Sequence, residues 1–269
     1  MAPENVTTRT LLAIVVVVGL GLLAWNIRLP GSDGTPAPPA GEGAVTVTGL
    51  GPLAEVQSPP TADARARAAE EDAVPALLEA LRRGGTEERR NAALMLQYQA
   101  DARAEPDLLR ALRDPDAKVA QRSAKALVSL WQHSDSPALN RVFSEGLTAW
   151  RVGNCAEARE IFESFHGVGK SVPDVYRLRA DVYLALATAA EGPQGGELLD
   201  RALDDCRMAL TVKDINFWAY YVQARCYIEK KDGPAALESV NNALRIYPGF
   251  QEAYQLKMVI RSKQQAGEL

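Results

Sequence analysis

Side chains that could perform acid–base, nucleophilic or metal chemistry are scarce in this 269-residue chain. It contains two histidines, His133 and His166, and three cysteines, Cys155, Cys206 and Cys226. The cysteines lack the spacing of a metal site, and two histidines are too few for most acid–base constellations. We therefore predict a protein that is not an enzyme, with no catalytic, metal-binding or cofactor-binding residue.

A glycine-containing run near the middle of the chain shares some letters with a phosphate-binding loop. Gly167–Lys170 reads GVGK. It lacks the upstream glycine and the strand-to-helix setting in which such a loop presents its backbone N–H groups to a phosphate. We predict no nucleotide site there.

Composition narrows both the fold class and the partners. The chain is 47% hydrophobic and 6% aromatic, with a net charge of -4. Ala and Leu are abundant and strand-like alternation is rare, which predicts an all-α protein of one or two domains. A nucleic-acid surface would normally show a basic stripe, and the scattered Lys and Arg residues form none.

An uncharged apolar segment lies close to the amino terminus. Residues 1–10 form a short polar tail, and Leu11–Trp25 carries no charged side chain. A helix extended to Ile27 would be about 25 Å long, at the low end of what crosses the hydrocarbon core of a bilayer. We predict a transmembrane helix over residues 11–27. A cleaved signal peptide is the alternative, although no small-x-small cleavage site follows the segment directly.

The charges beside this segment leave its orientation open. Arg9 and Arg28 flank it one on each side, so the positive-inside rule does not decide. The short amino-terminal tail favours an arrangement with the folded residues outside. We predict a single-pass protein of a bacterial inner membrane whose carboxy-terminal repeat domain lies in the periplasm.

A linker follows the predicted membrane helix. Residues 28–61 are dense in Pro, Gly, Ala, Ser and Thr, as in PGSDGTPAPPAGEG. Such a composition cannot bury enough apolar surface to offset the entropy lost on ordering. We predict a disordered spacer that holds the folded part away from the membrane.

Residues 62–137 contain two copies of a helical pattern, in which a proline opens the first helix and a polar turn leads to a second. A proline is tolerated in a first helical turn because its missing N–H would be unpaired there. The run RDPDAKV before a helix ending in AKAL resembles a HEAT-type repeat of the short bacterial variety, with Ala120 where an arginine is usual. The matching pairs, 31 residues apart, are Pro75 and Pro106, Leu77 and Leu108, and Leu81 and Leu112.

Residues 138–269 repeat a second pattern, in which small or shape-matched residues recur where two antiparallel helices would touch. The spacing resembles three tetratricopeptide repeats with a closing helix from about Gln251, and Pro248 ends the third unit. Gln223 stands where leucine is usual. The contact positions are Gly146, Ala180 and Ala224 on first helices, and Ala158, Ala202, Ala236, Phe162, Cys206, Val240, Phe165, Ala209 and Ala243 on second helices.

The middle unit is longer than its neighbours. First-helix positions step by 34 and then 44 residues, whereas second-helix positions step by 44 and then 34. The extra residues therefore fall in the turn of the middle unit, where Glu191–Gly196 reads EGPQGG. We predict a surface loop, because glycine and proline oppose a continued helix.

The joint between the two patterns is short, from Trp131 to Pro137. Each repeat needs a neighbour to cover its face, so a short joint predicts one continuous right-handed α-solenoid. Within it, Cys206 occupies a helix-contact position, where a free cysteine acts as a small apolar residue. A disulfide is the alternative outside the cytoplasm, with one of the three cysteines left unpaired.

In tetratricopeptide arrays the first helices line the concave face, so the resemblance implies a binding surface there. Trp, Tyr and Arg, which are enriched at binding hot spots, are among its outward positions. The asparagines and lysines with which some family members clamp a terminal carboxylate are missing at the matching places. The predicted protein-binding residues are Phe143, Leu147, Trp150, Arg151, Arg177, Asp181, Leu184, Trp218, Tyr221, Arg225 and Ile228.

These patterns favour a membrane-anchored scaffold or adaptor that binds a protein or an extended peptide. One alternative is an accessory or lyase-like HEAT protein that acts on a small molecule held between the arrays. Another is a purely structural part of an envelope assembly. The sequence names neither the partner nor the oligomeric state.

Overall fold

Antiparallel helix pairs follow one another along the chain. The computed structural model describes residues 73–165, 172–190 and 193–269, and within these residues it has eleven α-helices and no strand. The predicted all-α class is confirmed. The helices are α1 (Val74–Arg83), α2 (Thr86–Gln99), α3 (Glu105–Ala111), α4 (Ala117–Trp131), α5 (Pro137–Arg151), α6 (Cys155–Glu163), α7 (Val175–Ala189), α8 (Pro193–Val212), α9 (Phe217–Glu229), α10 (Gly233–Ile246) and α11 (Gln251–Gln265).

The predicted tail, membrane helix and linker, residues 1–61, lie outside the described residues. Among the helices that are described, none is both long and apolar enough to cross a membrane.

The first two helix pairs begin as the proline spacing predicts. Pro75 lies in the first turn of α1 and Pro106 in the first turn of α3. Each pair closes over small and branched apolar side chains, and α2 packs against α4. The fully or almost fully buried set on these helices includes Leu81, Ala92, Ala93, Leu96, Leu108, Leu112, Val119, Ala124, Ala126 and Leu127.

Arginine–aspartate pairs join these two repeats. Arg82 donates from Nε and Nη2 to the Asp107 carboxylate at 2.8 and 2.7 Å. Arg89 Nε donates to Asp114 at 2.8 Å. The next arginine, Arg90, pairs with Asp116, whose carboxylate also accepts from the Val119 N–H at the start of α4. The aspartates of the polar turn therefore fix one repeat upon the other, a role that the sequence analysis did not assign to them.

The later pairs, α5–α6, α7–α8 and α9–α10, have the predicted contact register. All twelve predicted contact positions are buried, and a closing helix begins at Gln251 as expected. Within the first and third pairs the turn has three residues and ends in a side-chain cap: Asn154 accepts from the Glu157 N–H, and Asp232 accepts from the Ala235 N–H.

The long middle unit extends its helices. Helix α7 runs nine residues beyond Ala180, whereas α9 runs five residues beyond Ala224. Helix α8 begins nine residues before Ala202, whereas α10 begins three residues before Ala236. The insertion therefore adds four residues to the end of α7 and six to the start of α8, which accounts for its whole length.

The predicted surface loop at Glu191–Gly196 is thus wrong for residues 193–196, which are helical; residues 191 and 192 lie outside the described residues. Pro193 begins α8, where a missing N–H costs nothing. Gly195 is buried in the first turn, and a Cβ there would lie 3.2 Å from the Ala187 carbonyl oxygen. Pro193 and Gly195 therefore both favour the start of a helix that closely approaches α7, and neither prevents helix formation here.

The helices from α1 to α11 belong to one compact unit, consistent with an α-solenoid. One buried cluster runs from α1–α4 to side chains on α7–α11, and a second is built around α5, α6 and α7. Trp131, at the end of α4, meets Phe217 at the start of α9 with ring centroids 5.8 Å apart. Glu105 on α3 pairs with Lys213, at 2.8 Å, just after α8. The first two helix pairs therefore contact residues at the end of α8 and the start of α9, which are distant in sequence. The short joint predicted contacts only between helix pairs that are consecutive in the chain.

Candidate protein-binding surface

The predicted binding residues lie on α5, α7 and α9, but most of them are covered. Arg151 is exposed, and Leu147, Trp218, Arg225 and Ile228 are partly exposed. The expectation of outward-facing side chains is wrong for the six that are buried: Phe143, Trp150, Arg177, Asp181, Leu184 and Tyr221.

The buried apolar members complete the two cores. The Phe143 ring lies 5.8 Å from that of Phe162 and 6.2 Å from that of Phe165, so it fills the contact between α5 and α6. Trp150 belongs to the same cluster, and Leu184 belongs to the other. These side chains are therefore core residues rather than members of an exposed face.

The buried charged members form an ionic network. Arg177 donates from Nε to Asp174 at 2.9 Å and from Nη1 to Asp181 at 3.0 Å. The other Asp181 oxygen accepts from Arg225 Nη1, also at 3.0 Å, and this contact joins α7 to α9. Burial lowers the pKa of Arg177, but the two aspartates outweigh that effect and raise it. Two carboxylates and two guanidinium groups thus balance each other. Asp174, Arg177 and Asp181 are buried, as such pairing requires, whereas Arg225 is partly exposed.

Asp174 is the centre of this network. Its side chain is fully buried and accepts further hydrogen bonds from Gln132 Nε2 at 2.9 Å and Asn216 Nδ2 at 3.4 Å. Its backbone N–H donates to the Trp131 carbonyl at 3.0 Å. The side-chain oxygen Oδ1 of Asn216 caps α9 by accepting from the Ala219 N–H at 3.1 Å. Asp174 therefore holds together the end of α4 and the starts of α7 and α9.

The aromatic side chains on α9 are tied to the closing helix. The Trp218 ring lies 4.7 Å from Phe250 and 5.4 Å from Tyr221, both edge-on. The guanidinium group of Arg225 lies 5.9 Å from the centre of the Tyr221 ring. Burial raises the pKa of Tyr221 to about 12, so the phenol stays neutral. Tyr221 is therefore part of the core rather than of the predicted binding face, and Arg225 already has intramolecular partners in Asp181 and the Tyr221 ring.

What remains open to a partner is a smaller set, which we name the first-helix surface: Leu147, Arg151, Trp218, Arg225 and Ile228. Leu147 and Arg151 are four residues apart on α5, so they share a face of that helix. On α9 the spacings of seven and three residues likewise place Trp218, Arg225 and Ile228 on one face. The set therefore comprises two groups, one on α5 and one on α9, which together combine apolar side chains with two cations.

Two cavities lie elsewhere. One, of about 360 Å³, is lined by α6, α7 and α8. Four of its six lining residues are paired with each other, since Arg179 donates to Asp205 at 2.7 Å and the Tyr183 hydroxyl donates to Glu163 at 2.6 Å. The other, of about 400 Å³, lies between residues 112–120 and 247–251.

Among the described residues, side chains suited to metal binding do not cluster. His133 is exposed, and His166 lies with the GVGK run outside the described residues. Among residues 73–165, 172–190 and 193–269, no group of three or more His, Cys, Asp or Glu side chains could hold a metal ion.

Comparison with known proteins finds a family match for one part of the chain. A family model for HEAT repeats matches residues 74–152. No curated protein and no solved structure matches the chain. The match runs through α5, which the sequence analysis assigned to the first tetratricopeptide repeat. Residues 74–152 therefore carry HEAT-type repeats, which generally mediate protein–protein interaction.

Proposed function

We propose that this protein is a membrane-anchored scaffold that binds a protein or an extended peptide on its helical repeats. The observation that carries the proposal is the HEAT-repeat segment at residues 74–152, which continues into further helix pairs. Repeat arrays of this kind present extended surfaces rather than closed pockets. The paired polar groups in the cavity between α6, α7 and α8 support a non-catalytic role.

The binding region that we propose is the first-helix surface. Its side chains project from α5 and α9, and the ionic network on α7 fixes α9 through the contact between Asp181 and Arg225. Trp218 and Arg225 are of the types enriched at binding hot spots. Leu147 and Ile228 supply apolar area, whose burial stabilises a complex by roughly 25 cal/mol per Å² before the costs of association.

We assign α5 to α11 to three tetratricopeptide repeats and a closing helix, so that α5, the last helix within the HEAT-repeat match, also opens the first of these repeats. Support comes from the burial of every predicted contact position and from the three-residue turns with Asn154 and Asp232 as caps. The membrane anchor at residues 11–27, its spacer and the periplasmic location of the repeats belong to the same proposal. They are supported by the uncharged run Leu11–Trp25 and the Pro- and Gly-rich segment after it.

Co-purification from detergent-solubilised membranes tests this function. Ile228→Asp places a charge on the first-helix surface, whereas Met208→Asp places one on α8, where Met208 is also exposed. We expect discrete proteins to accompany the wild type and the Met208 variant and to be lost from the Ile228 variant. Equal recovery with all three, from variants with equal thermal melts, would contradict binding through this surface.

A further inference from the structure

Two cysteines meet in the core of the carboxy-terminal half. Cys206 on α8 and Cys226 on α9 are both free and both fully buried. They belong to the same core cluster, and their helices pack against each other. After burial itself, the Cys226 side chain contributes most to raising the pKa of the Cys206 thiol, as expected of two neighbouring side chains on helices that pack together.

The third cysteine is set apart. Cys155 begins α6, is only partly buried, and packs at the edge of the second cluster, around α5–α7. Sequence register alone did not distinguish among the three cysteines. Their placement selects one pair.

We propose that Cys206 and Cys226 form a disulfide that joins α8 to α9 when the chain folds in an oxidising environment. Two thiols give up two protons and two electrons in this reaction. A small disulfide such as oxidised glutathione accepts them by thiol–disulfide exchange and leaves as two molecules of reduced glutathione. The bond would tie the second helix of the middle unit to the first helix of the next and fix the position of the adjacent Arg225.

Burial determines when the bond forms. In the folded state, desolvation and then the neighbouring thiol and the carboxylates of Asp181 and Asp205 raise the pKa of Cys206. The thiolate, which is the attacking species, is therefore depleted in the folded reduced protein. Oxidation should occur during folding, before the helices close. This inference does not rest on the proposed binding function.

A refolding experiment with peptide mapping tests the proposal. The full chain is denatured, reduced, refolded in a buffer of reduced and oxidised glutathione, alkylated and digested with trypsin without reduction. Trypsin releases the three cysteines in separate peptides: VGNCAEAR, ALDDCR and CYIEK. We expect the ALDDCR–CYIEK cross-link in most refolded molecules, at least tenfold above either pair that includes Cys155.

Variants and a melt complete the test. Cys155→Ala should form the cross-link as the wild type does, and oxidation should raise its thermal midpoint by several degrees, reversibly with reductant. Cys206→Ala should show no redox-dependent midpoint. Free thiols on Cys206 and Cys226 after refolding, a dominant pair with Cys155, or a midpoint lowered by oxidation would each overturn the proposal.

Discussion

Replacing Asp174 with asparagine should cost far more stability than any surface charge does. The substitution keeps the shape of the side chain and removes its charge. In the wild type two aspartates balance two arginines within the network. In Asp174→Asn one positive charge is left over, and the Arg177 side chain, only 8% exposed, keeps a single carboxylate partner.

The magnitude follows from that burial. Breaking a buried ion pair by removing one partner costs about 3–5 kcal/mol, because the other charge stays desolvated. Domain stabilities lie at about 5–15 kcal/mol, so the loss would be a third or more in a typical case. The matched control is Asp200→Asn. Asp200 pairs with Lys230 at 2.7 Å on the surface, where its own side chain is 66% exposed, and such pairs contribute about 0–1 kcal/mol.

Urea unfolding followed by circular dichroism at 222 nm measures both variants. We expect a large fall in the free energy of unfolding for Asp174→Asn and almost none for Asp200→Asn. The double variant Asp174→Leu/Arg177→Met should recover part of the loss, because no buried charge is stranded on Arg177. A loss below about 1 kcal/mol for Asp174→Asn, equal to that of the control, would refute the view that this network holds the helix pairs together.

Three further predictions concern local packing, strain and acid stability. Gly146→Ala should destabilise by about 1–3 kcal/mol, because its Cβ would lie 2.8 Å from side-chain atoms of the opposite helix. Gly196→Ala, with nothing within 4 Å, should be neutral or gain up to about 1 kcal/mol; equal urea midpoints would contradict this. Lys231 and Gly153 both lie in turns with positive φ, 59° and 82° respectively. A positive φ costs a non-glycine residue about 1 kcal/mol. Lys231→Gly should therefore raise the melting temperature, and Gly153→Ala should lower it. A Lys231→Gly variant that melts lower would count against strain. The hydrogen bond from Arg82 lowers the pKa of Asp107 from its ordinary value of 3.8. The ionised carboxylate therefore stabilises the fold above pH 3.8, and this stabilisation is lost as the pH falls through the lowered pKa. Asp107→Asn should weaken the pH dependence of urea midpoints between pH 7 and pH 3, and an unchanged slope would argue against the pairing.

The helix pairs were predictable because their signals are local. Pro75 and Pro106, 31 residues apart, mark the starts of two helices and are visible directly in the sequence. The contact register of α5–α10 needed only small residues at matched offsets, such as Ala180 and Ala224. Such residues are required wherever two helices cross closely, because interiors are close-packed and leave no room for larger side chains there.

The errors come from contacts that sequence spacing does not encode. The glycines and proline of EGPQGG predict a loop. In the structure, Pro193 and Gly195 both suit the start of α8, which closely approaches α7. The spacing of Arg177 from Asp181, four residues, is a helical ion-pair signal that could have been read. The contact with Arg225 lies 44 residues away, and only the packing of α7 against α9 brings it into the network.

Photo-crosslinking in intact membranes tests the central claim most directly. A photoreactive phenylalanine analogue is placed at Ile228 on the first-helix surface or, as a control, at Met208 on α8, in the full-length chain. The account predicts a crosslinked species of discrete mass from position 228, diminished when Trp218 is also replaced by alanine, and none from position 208. Adducts at 208 alone, or equal adducts at both positions, would contradict a partner bound on the first helices.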